Sequence, residues 1–491
     1  MKKNELSKIT TLLPSKLGSI LKKINENSLG ILFIVDKDFK LLASISDGDI
    51  RRIFLNKKNN DLLITEDSSA INKNPVSLPS NCDIQEIQKL LNTEINGKTI
   101  RCIPLIDEQN RIVDYSTRER ARKYSVLEPI IGEEELFNVI DVIKSGWISS
   151  KGSYISKFEN SFSSYLSGGY SVAVTSGTTA LQVGLTTLGI ASGDEVVVPN
   201  FTFGASTNSI INCGAKPVIA EVEEETWTID PKKIENYISP LTKAIMLVHI
   251  YGQPCKIDEI KKIAKKNDLL IIEDCAEAVG AKYKGKIIGT DGDCSCFSFF
   301  ANKTITTGEG GMVVFKDEKL ASRARLLINH GLSSKIKYYH EVAGYNFRMT
   351  NMQAAIGVAQ MKKIEFLINK RKEIFKIYDD RFKDIPEITL LPKNEWSENS
   401  YWLYTLLIKD ISKEKRDKLL NRMQNKGIEC RPGFYSLNLM EPFKKFAKGD
   451  YNISNKLSES SISLPTSSID KIDQDFISET LLSEIENINK C

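Results

Sequence analysis

From about residue 125 the chain alternates amphipathic stretches with short, unbroken apolar runs. Glu133 to Ser145 and Ile155 to Leu166 carry apolar residues at helical spacing, and Thr178 to Leu188 and Ile257 to Lys266 do the same further on. Between them lie Ser171 to Val174, Glu195 to Val198, Ala244 to Val248 and Leu269 to Ile272, whose apolar residues are consecutive rather than alternating. Strands of that kind, separated by helices, predict an α/β fold with a mostly parallel sheet covered on both faces. Two more buried-looking runs follow, Cys294 to Phe300 and Gly311 to Phe315. Beyond residue 365 the pattern turns mixed: a long helix from Phe366 to Phe382, a strand-like run Tyr401 to Ile408, and a helix candidate from Ser412 to Lys426. The expected organisation is a large domain over 128–365 and a smaller C-terminal α+β domain over 366–491.

The first 122 residues read as a separate domain with a weak internal repeat. Phe33 to Ser46 is matched by Pro104 to Thr117, each half a strand, an acidic turn and a strand. A helical stretch precedes each copy, Leu17 to Asn25 and Asp83 to Leu91. Units this small bury little alone, so the halves are expected to pack together. The first copy runs on into Ser46-Asp-Gly-Asp49, and the pair resembles the CBS module. That resemblance implies an adenine-nucleotide site on Ser46 and Asp49. The second copy has Thr117 followed by Arg118-Glu119-Arg120, without the aspartate, so at most one site is expected. A degenerate pair used for packing or oligomerisation is the competing reading.

Composition narrows the function classes. At 491 residues the chain is long enough for two or three domains, and 41% hydrophobic residues suffice for large cores. A net charge of +4, with lysines scattered among acidic residues, gives no polyanion-binding signature, so no nucleic acid is expected. No apolar run reaches the roughly 18 residues of a membrane span, and the start shows no secretory pattern, so the expected location is cytoplasmic. The nine cysteines are dispersed, and no histidine completes a zinc-like set; reduced thiols and no metal are expected.

The candidate chemistry centres on Lys303, which lies between the two buried-looking runs. Desolvation at such an edge lets a lysine lose its proton and form a Schiff base with an aldehyde. Upstream, Asp274 closes the apolar run that begins at Leu269. A lysine for an aldehyde and an aspartate for a pyridinium nitrogen are the two charges pyridoxal phosphate requires. Ser176-Gly177-Thr178-Thr179 follows a strand and opens a helix, where free N–H groups and a glycine suit a phosphate. Alone that turn is a weak signal, because helix caps use the same residues.

The order of blocks is more specific: Gly146 to Gly152, Ser176 to Thr179, Pro199 to Ser206, Val248 to Gly252, Glu273 to Glu277, Ser298 to Gly311, and Gly344 to Ala355. Over about 128–491 this succession resembles the DegT/DnrJ/EryC1/StrS nucleotide-sugar aminotransferases. The resemblance implies the aspartate-aminotransferase-like fold (fold type I), pyridoxal 5′-phosphate as cofactor, and a homodimer with shared active sites. It implies that Lys303 holds the cofactor and shuttles a proton, and that Asp274 pairs with the ring nitrogen. Gly177, Thr178 and Ser298 would reach the phosphate, joined by Asn346 from the partner subunit. Phe203 would stack on the ring, and Glu277 would lie near its hydroxyl.

The wording around Glu277 and Lys303 resembles the branch that aminates GDP-4-keto-6-deoxy-D-mannose to GDP-perosamine with glutamate as donor. UDP- or dTDP-linked keto sugars remain the alternative substrates. Dehydratase relatives carry histidine at the Lys303 position, so the lysine argues for transamination. A catalytically silent nucleotide-sensing CBS protein is the alternative of another class. Of the three histidines, His249 follows a buried-looking strand and reads as structural, while His340 is a candidate for the sugar site.

Overall fold

The computed structural model describes residues 2–56, 62–65, 68–69, 71–95, 98–117, 124–466 and 469–490. The chain divides into two compact units, one of residues 1–124 with 421–429 and the other of residues 125–420 with 430–491.

The larger unit is built on a seven-stranded sheet. Its strands in chain order are β1 (Tyr170–Val174), β2 (Glu195–Pro199), β3 (Lys216–Ala220), β4 (Thr242–Val248), β5 (Leu270–Asp274), β6 (Cys294–Ser298) and β7 (Gly311–Phe315). The spatial order is β1-β7-β6-β5-β4-β2-β3. Only β7 runs against its neighbours; all other pairings are parallel. The all-apolar runs are explained by burial on both faces, since β2, β6 and β7 are buried at every position.

Helix Ser153–Tyr165 covers one face, and its Phe158 and Phe162 meet Phe297 and Phe299 with ring centroids 4.8–5.4 Å apart. Each of these rings is essentially inaccessible, which is worth roughly 1.5–3 kcal/mol apiece. Gly357, on helix Asn351–Lys362, lets that helix close on Phe158; a Cβ there would lie 2.8 Å from the ring.

The C-terminal residues contribute a four-stranded antiparallel sheet, ordered Ile388–Leu390, Thr405–Ile408, Ser461–Ser463, Arg431–Pro432. The strand-like run from Tyr401 starts late, at Thr405. Tyr401 itself takes a left-handed φ of 57°, which ends extended pairing there. The freed segment Trp402–Leu403 turns to the cavity described below.

In the smaller unit the repeat is visible as two matching three-stranded sheets. Thr10–Thr11 pairs parallel with Ile31–Val35, which pairs antiparallel with Leu41–Ser46. Leu78–Pro79 pairs parallel with Cys102–Ile106, which pairs antiparallel with Ile112–Thr117. Helices Leu17–Asn27 and Ile84–Leu91 precede the two hairpins. Arg118 to Arg120, the point where the second copy loses its aspartate, lie outside the described residues. None of the helices of the described residues is long and apolar enough to cross a membrane.

Candidate active site

Parallel strands bring their C-terminal ends to one edge, and in open α/β sheets that edge is where ligands bind. Asp274 is the last residue of β5 and Ser298 the last of β6, while the helix Gly177–Thr187 starts just after β1. They line a cavity of about 430 Å³ together with Thr178, Phe203, Glu277 and Lys303. Six of the sequence-derived candidates besides Lys303 therefore converge on one space.

The helix start is fixed by a reciprocal cap. The Thr179 amide donates to Ser176 Oγ at 3.1 Å, and the Ser176 amide to Thr179 Oγ1 at 3.0 Å. Ser176, Gly177 and Thr178 line the cavity, so the unpaired N–H end of the helix faces it. Close packing places Ser298 in the same cradle: a Cβ on Gly177 would sit 2.7 Å from Ser298 Cβ.

Asp274 is buried. Its Oδ2 accepts the Ser206 hydroxyl at 2.8 Å and its Oδ1 the Ala276 amide at 3.1 Å. Burial raises its carboxyl above the usual range, and these two donors and the Lys303 charge pull it back. Each oxygen keeps a lone pair for a further donor.

Lys303 Nζ lies 3.9 Å from the centroid of the Trp402 ring. Burial draws this amine below the ordinary lysine value, against the pull of Glu277 and Asp274, and Arg371 adds to the lowering. Glu277 Oε2 accepts the Tyr251 amide at 2.8 Å. Burial pushes the Glu277 carboxyl up to about 7, only partly offset by Lys303 and that amide. The site thus holds an amine whose hold on its proton is loosened by burial beside a carboxylic acid raised to about 7, a pairing suited to proton transfer.

Phe203 is 61% exposed at the cavity wall, 5.7 Å from the Phe434 ring. Asn346 and His340 do not line the cavity of their own chain. Asn346 Oδ1 accepts Arg348 at 2.7 Å, and His340 Nδ1 faces the His330 carbonyl at 2.7 Å; both residues are exposed. Ser46 and Asp49 lie in the smaller unit, where Asp49 Oδ2 accepts the Ser46 amide at 2.8 Å and Arg52 pairs with Oδ1.

Sequence reasoning missed Ser206, Trp402, Phe434, Asn302 and Arg371. Ser206 and Asn302 left a trace, since they fall within the blocks Pro199 to Ser206 and Ser298 to Gly311, but neither was singled out. Asn302 Oδ1 is buried against the cavity with no partner, an acceptor awaiting a donor. His249 is fully buried: its Nδ1 accepts the Cys255 amide at 3.1 Å, and Nε2 faces Glu273 at 3.3 Å. With Cys275 these two form the one trio among the described residues that could face an ion. The Glu273 oxygens, however, already accept the amides of Gly289, Asp291 and Gly292 and the Ser295 hydroxyl. The eight described cysteines are all free thiols.

The profile of the DegT/DnrJ/EryC1/StrS aminotransferase family matches residues 129–481. The chain belongs to that family. It is 40% identical to GDP-perosamine synthase from Vibrio cholerae and 43% to that from Escherichia coli O157:H7. Both alignments span 70% of this chain, and 93% and 92% of the relatives. Among solved structures it resembles the PLP-form of a proposed sugar aminotransferase from Streptococcus pneumoniae, with TM-score 0.72 and 29% identity over 74% of this chain and 99% of that one. It also resembles the Helicobacter pylori aminotransferase PseC, involved in pseudoaminic acid biosynthesis, with TM-score 0.71 and 28% identity over 74% and 100% of the two chains.

As a member of this family the chain is a pyridoxal-phosphate-dependent sugar aminotransferase, and its residues fit that cofactor. A helix start suits the phosphate, a buried carboxylate with open lone pairs suits a pyridinium N–H, and an amine of lowered proton affinity suits an aldehyde. Membership and the convergence of Lys303, Asp274 and Ser298 on one cavity disfavour the reading of the chain as a silent nucleotide sensor.

Proposed function

We propose that the chain transfers an amino group from glutamate to the keto carbon of GDP-4-keto-6-deoxy-D-mannose, giving GDP-perosamine for a surface glycan. The observation that carries this reading is the 39–43% identity to three GDP-perosamine synthases over nine-tenths of their length. When bound, pyridoxal phosphate supplies an aldehyde for the amine and a ring that takes up electrons. The residues supply the rest. Gly177, Thr178 and Ser298 hold the phosphate, and Asp274, steadied by Ser206, keeps the ring nitrogen protonated. Lys303 Nζ would hold the cofactor aldehyde and, when free, would take up and return the proton of the donor carbon. Phe203 covers the ring face, and Glu277 orients its hydroxyl edge.

Asn346 and His340, exposed and outside the cavity of their own chain, fit a homodimer in which each subunit completes its partner's site. The N-terminal repeat is read as a CBS-like pair. An adenine nucleotide at Ser46 and Asp49 would have to displace Arg52 from the Asp49 carboxylate.

The deciding assay supplies purified protein with GDP-4-keto-6-deoxy-D-mannose and glutamate and follows 2-oxoglutarate and the aminated sugar. Turnover only with a UDP- or dTDP-linked keto sugar would overturn the GDP assignment.

A further inference from the structure

Arg371, on the helix Ile364–Phe382, is 7% exposed, yet its guanidinium meets no carboxylate among the described residues. A buried charge is ordinarily paired, because the desolvation cost is otherwise unopposed. Here the fork is spent on uncharged acceptors, two backbone carbonyls and a hydroxyl. Nη2 donates to the Lys303 carbonyl at 3.1 Å, and Nη1 to the Trp402 carbonyl at 3.1 Å and the Thr304 hydroxyl at 3.3 Å. Lys303 and Trp402 are the two residues whose side chains meet in the cavity, amine over indole. One guanidinium therefore ties together the two peptides that set this contact, and it leaves its charge unneutralised beneath them.

We propose that Arg371 is a positioning residue for Lys303: its fork fixes the Lys303 and Trp402 peptides at the cavity floor, and its unpaired positive charge acts on Nζ. The proposal rests on the reading of Lys303 as the cofactor lysine. Asp274 and Glu277 act on the amine in the opposite sense, and burial acts with Arg371. His249, Tyr251, Glu309 and Arg431 line the same cavity. With the guanidinium gone, the two carboxylates oppose burial alone, and the amine binds its proton more tightly. Removing one unit charge from within roughly 5–10 Å of an amine, at an effective dielectric of about 20 to 40, shifts such an equilibrium by on the order of one pH unit. A merely structural arginine would leave that equilibrium alone.

The test uses full-length, cofactor-free protein labelled with trace acetic anhydride across a pH series, with acetylation of the Lys303 peptide read by mass spectrometry. Arg371→Gln and Arg371→Met are expected to move the midpoint of Lys303 labelling up by about one unit or more. Arg371→Lys, which keeps the charge, is expected to hold it within about a third of the shift seen without charge. An unchanged midpoint in the two charge-free variants overturns the proposal. So does an equal shift in all three, or failure of both charge-free variants to fold while Arg371→Lys folds. Failure of the underlying reading looks different: after loading with pyridoxal 5′-phosphate and borohydride reduction, the adduct of the unmodified protein would map to a lysine other than Lys303.

Discussion

Glu277 is the residue at which electrostatics in the site becomes measurable as stability. Its carboxyl is pushed from an ordinary value of 4.5 to about 7, with burial as the largest cause. A group whose folded proton affinity is raised leaves stability intact below the unfolded value and withdraws it as pH rises through the folded one. The window here runs from 4.5 to about 7. At about 1.4 kcal/mol per unit, the cofactor-free protein loses on the order of 3 kcal/mol to Glu277 ionisation across it. Glu277→Gln keeps an acceptor for the Tyr251 amide and removes the charge. The difference in unfolding free energy between variant and unmodified protein should therefore grow in favour of the variant by about 3 kcal/mol between pH 4.5 and about pH 8. All four tryptophans, Trp147, Trp227, Trp396 and Trp402, belong to the larger unit, so fluorescence during urea unfolding reports on that unit. Lys303 faces the same carboxyl, and its own proton affinity falls when Glu277 is neutralised, which leaves the sign of the difference unchanged. A difference constant to within about 1 kcal/mol over that range would refute the argument that burial governs this carboxyl.

Lys303→Ala should abolish turnover and remove the covalent cofactor adduct trapped by borohydride, read by intact mass; an adduct of unchanged stoichiometry would contradict the assignment. Asp274→Asn removes the charge proposed to hold the ring nitrogen protonated, and a loss of about 1–3 units there would translate into roughly 10- to 1000-fold slower transamination. Wild-type turnover in that variant would exclude the ring-nitrogen role. Gly177→Ala puts a Cβ 2.7 Å from that of Ser298. Overpacking of about 1–3 kcal/mol should weaken pyridoxal phosphate binding by roughly 5- to 150-fold in a fluorescence titration, with glutamate KM little changed. AMP titrated calorimetrically into the full-length protein should give no binding heat up to about millimolar ligand, since Asp49 is already taken by Ser46 and Arg52; a saturable heat would show that the pair exchanges for a nucleotide.

Much of this architecture was legible because parallel strands buried on both faces write themselves as unbroken apolar runs. Helices Glu133–Ser145 and Ile257–Lys266 match the periodicity to the residue. The strand Lys216–Ala220 went unseen, since a lysine and a proline interrupt its apolar run and it lies at the sheet edge, where both are tolerated. Residues that act through their own chemistry, Lys303 and Asp274 above all, stood out by type and by their place at strand ends. Residues that act through another residue did not. Ser206 reads as a helix serine, Arg371 as one more charge on a lysine-rich amphipathic helix, and Trp402 as part of a strand. Each becomes functional only through a contact with a distant residue, and no local pattern encodes a contact of that range.

That asymmetry bears on how the site is assembled. Asp274, Ser298 and Gly177, proposed to contact the cofactor, come from the ends of β5 and β6 and from the helix after β1. Arg371, which loosens the proton of the amine, and Trp402, whose ring lies under it, come from residues after 365. Lys303 is therefore governed from two sides: Asp274 and Glu277 on the sheet side favour its charged form, and Arg371, together with burial, favours the neutral one. Neither side alone gives an amine that can both attach an aldehyde and later accept a proton. Exchange of the C-terminal residues between relatives should thus alter the pH dependence of turnover even where every cofactor contact is retained.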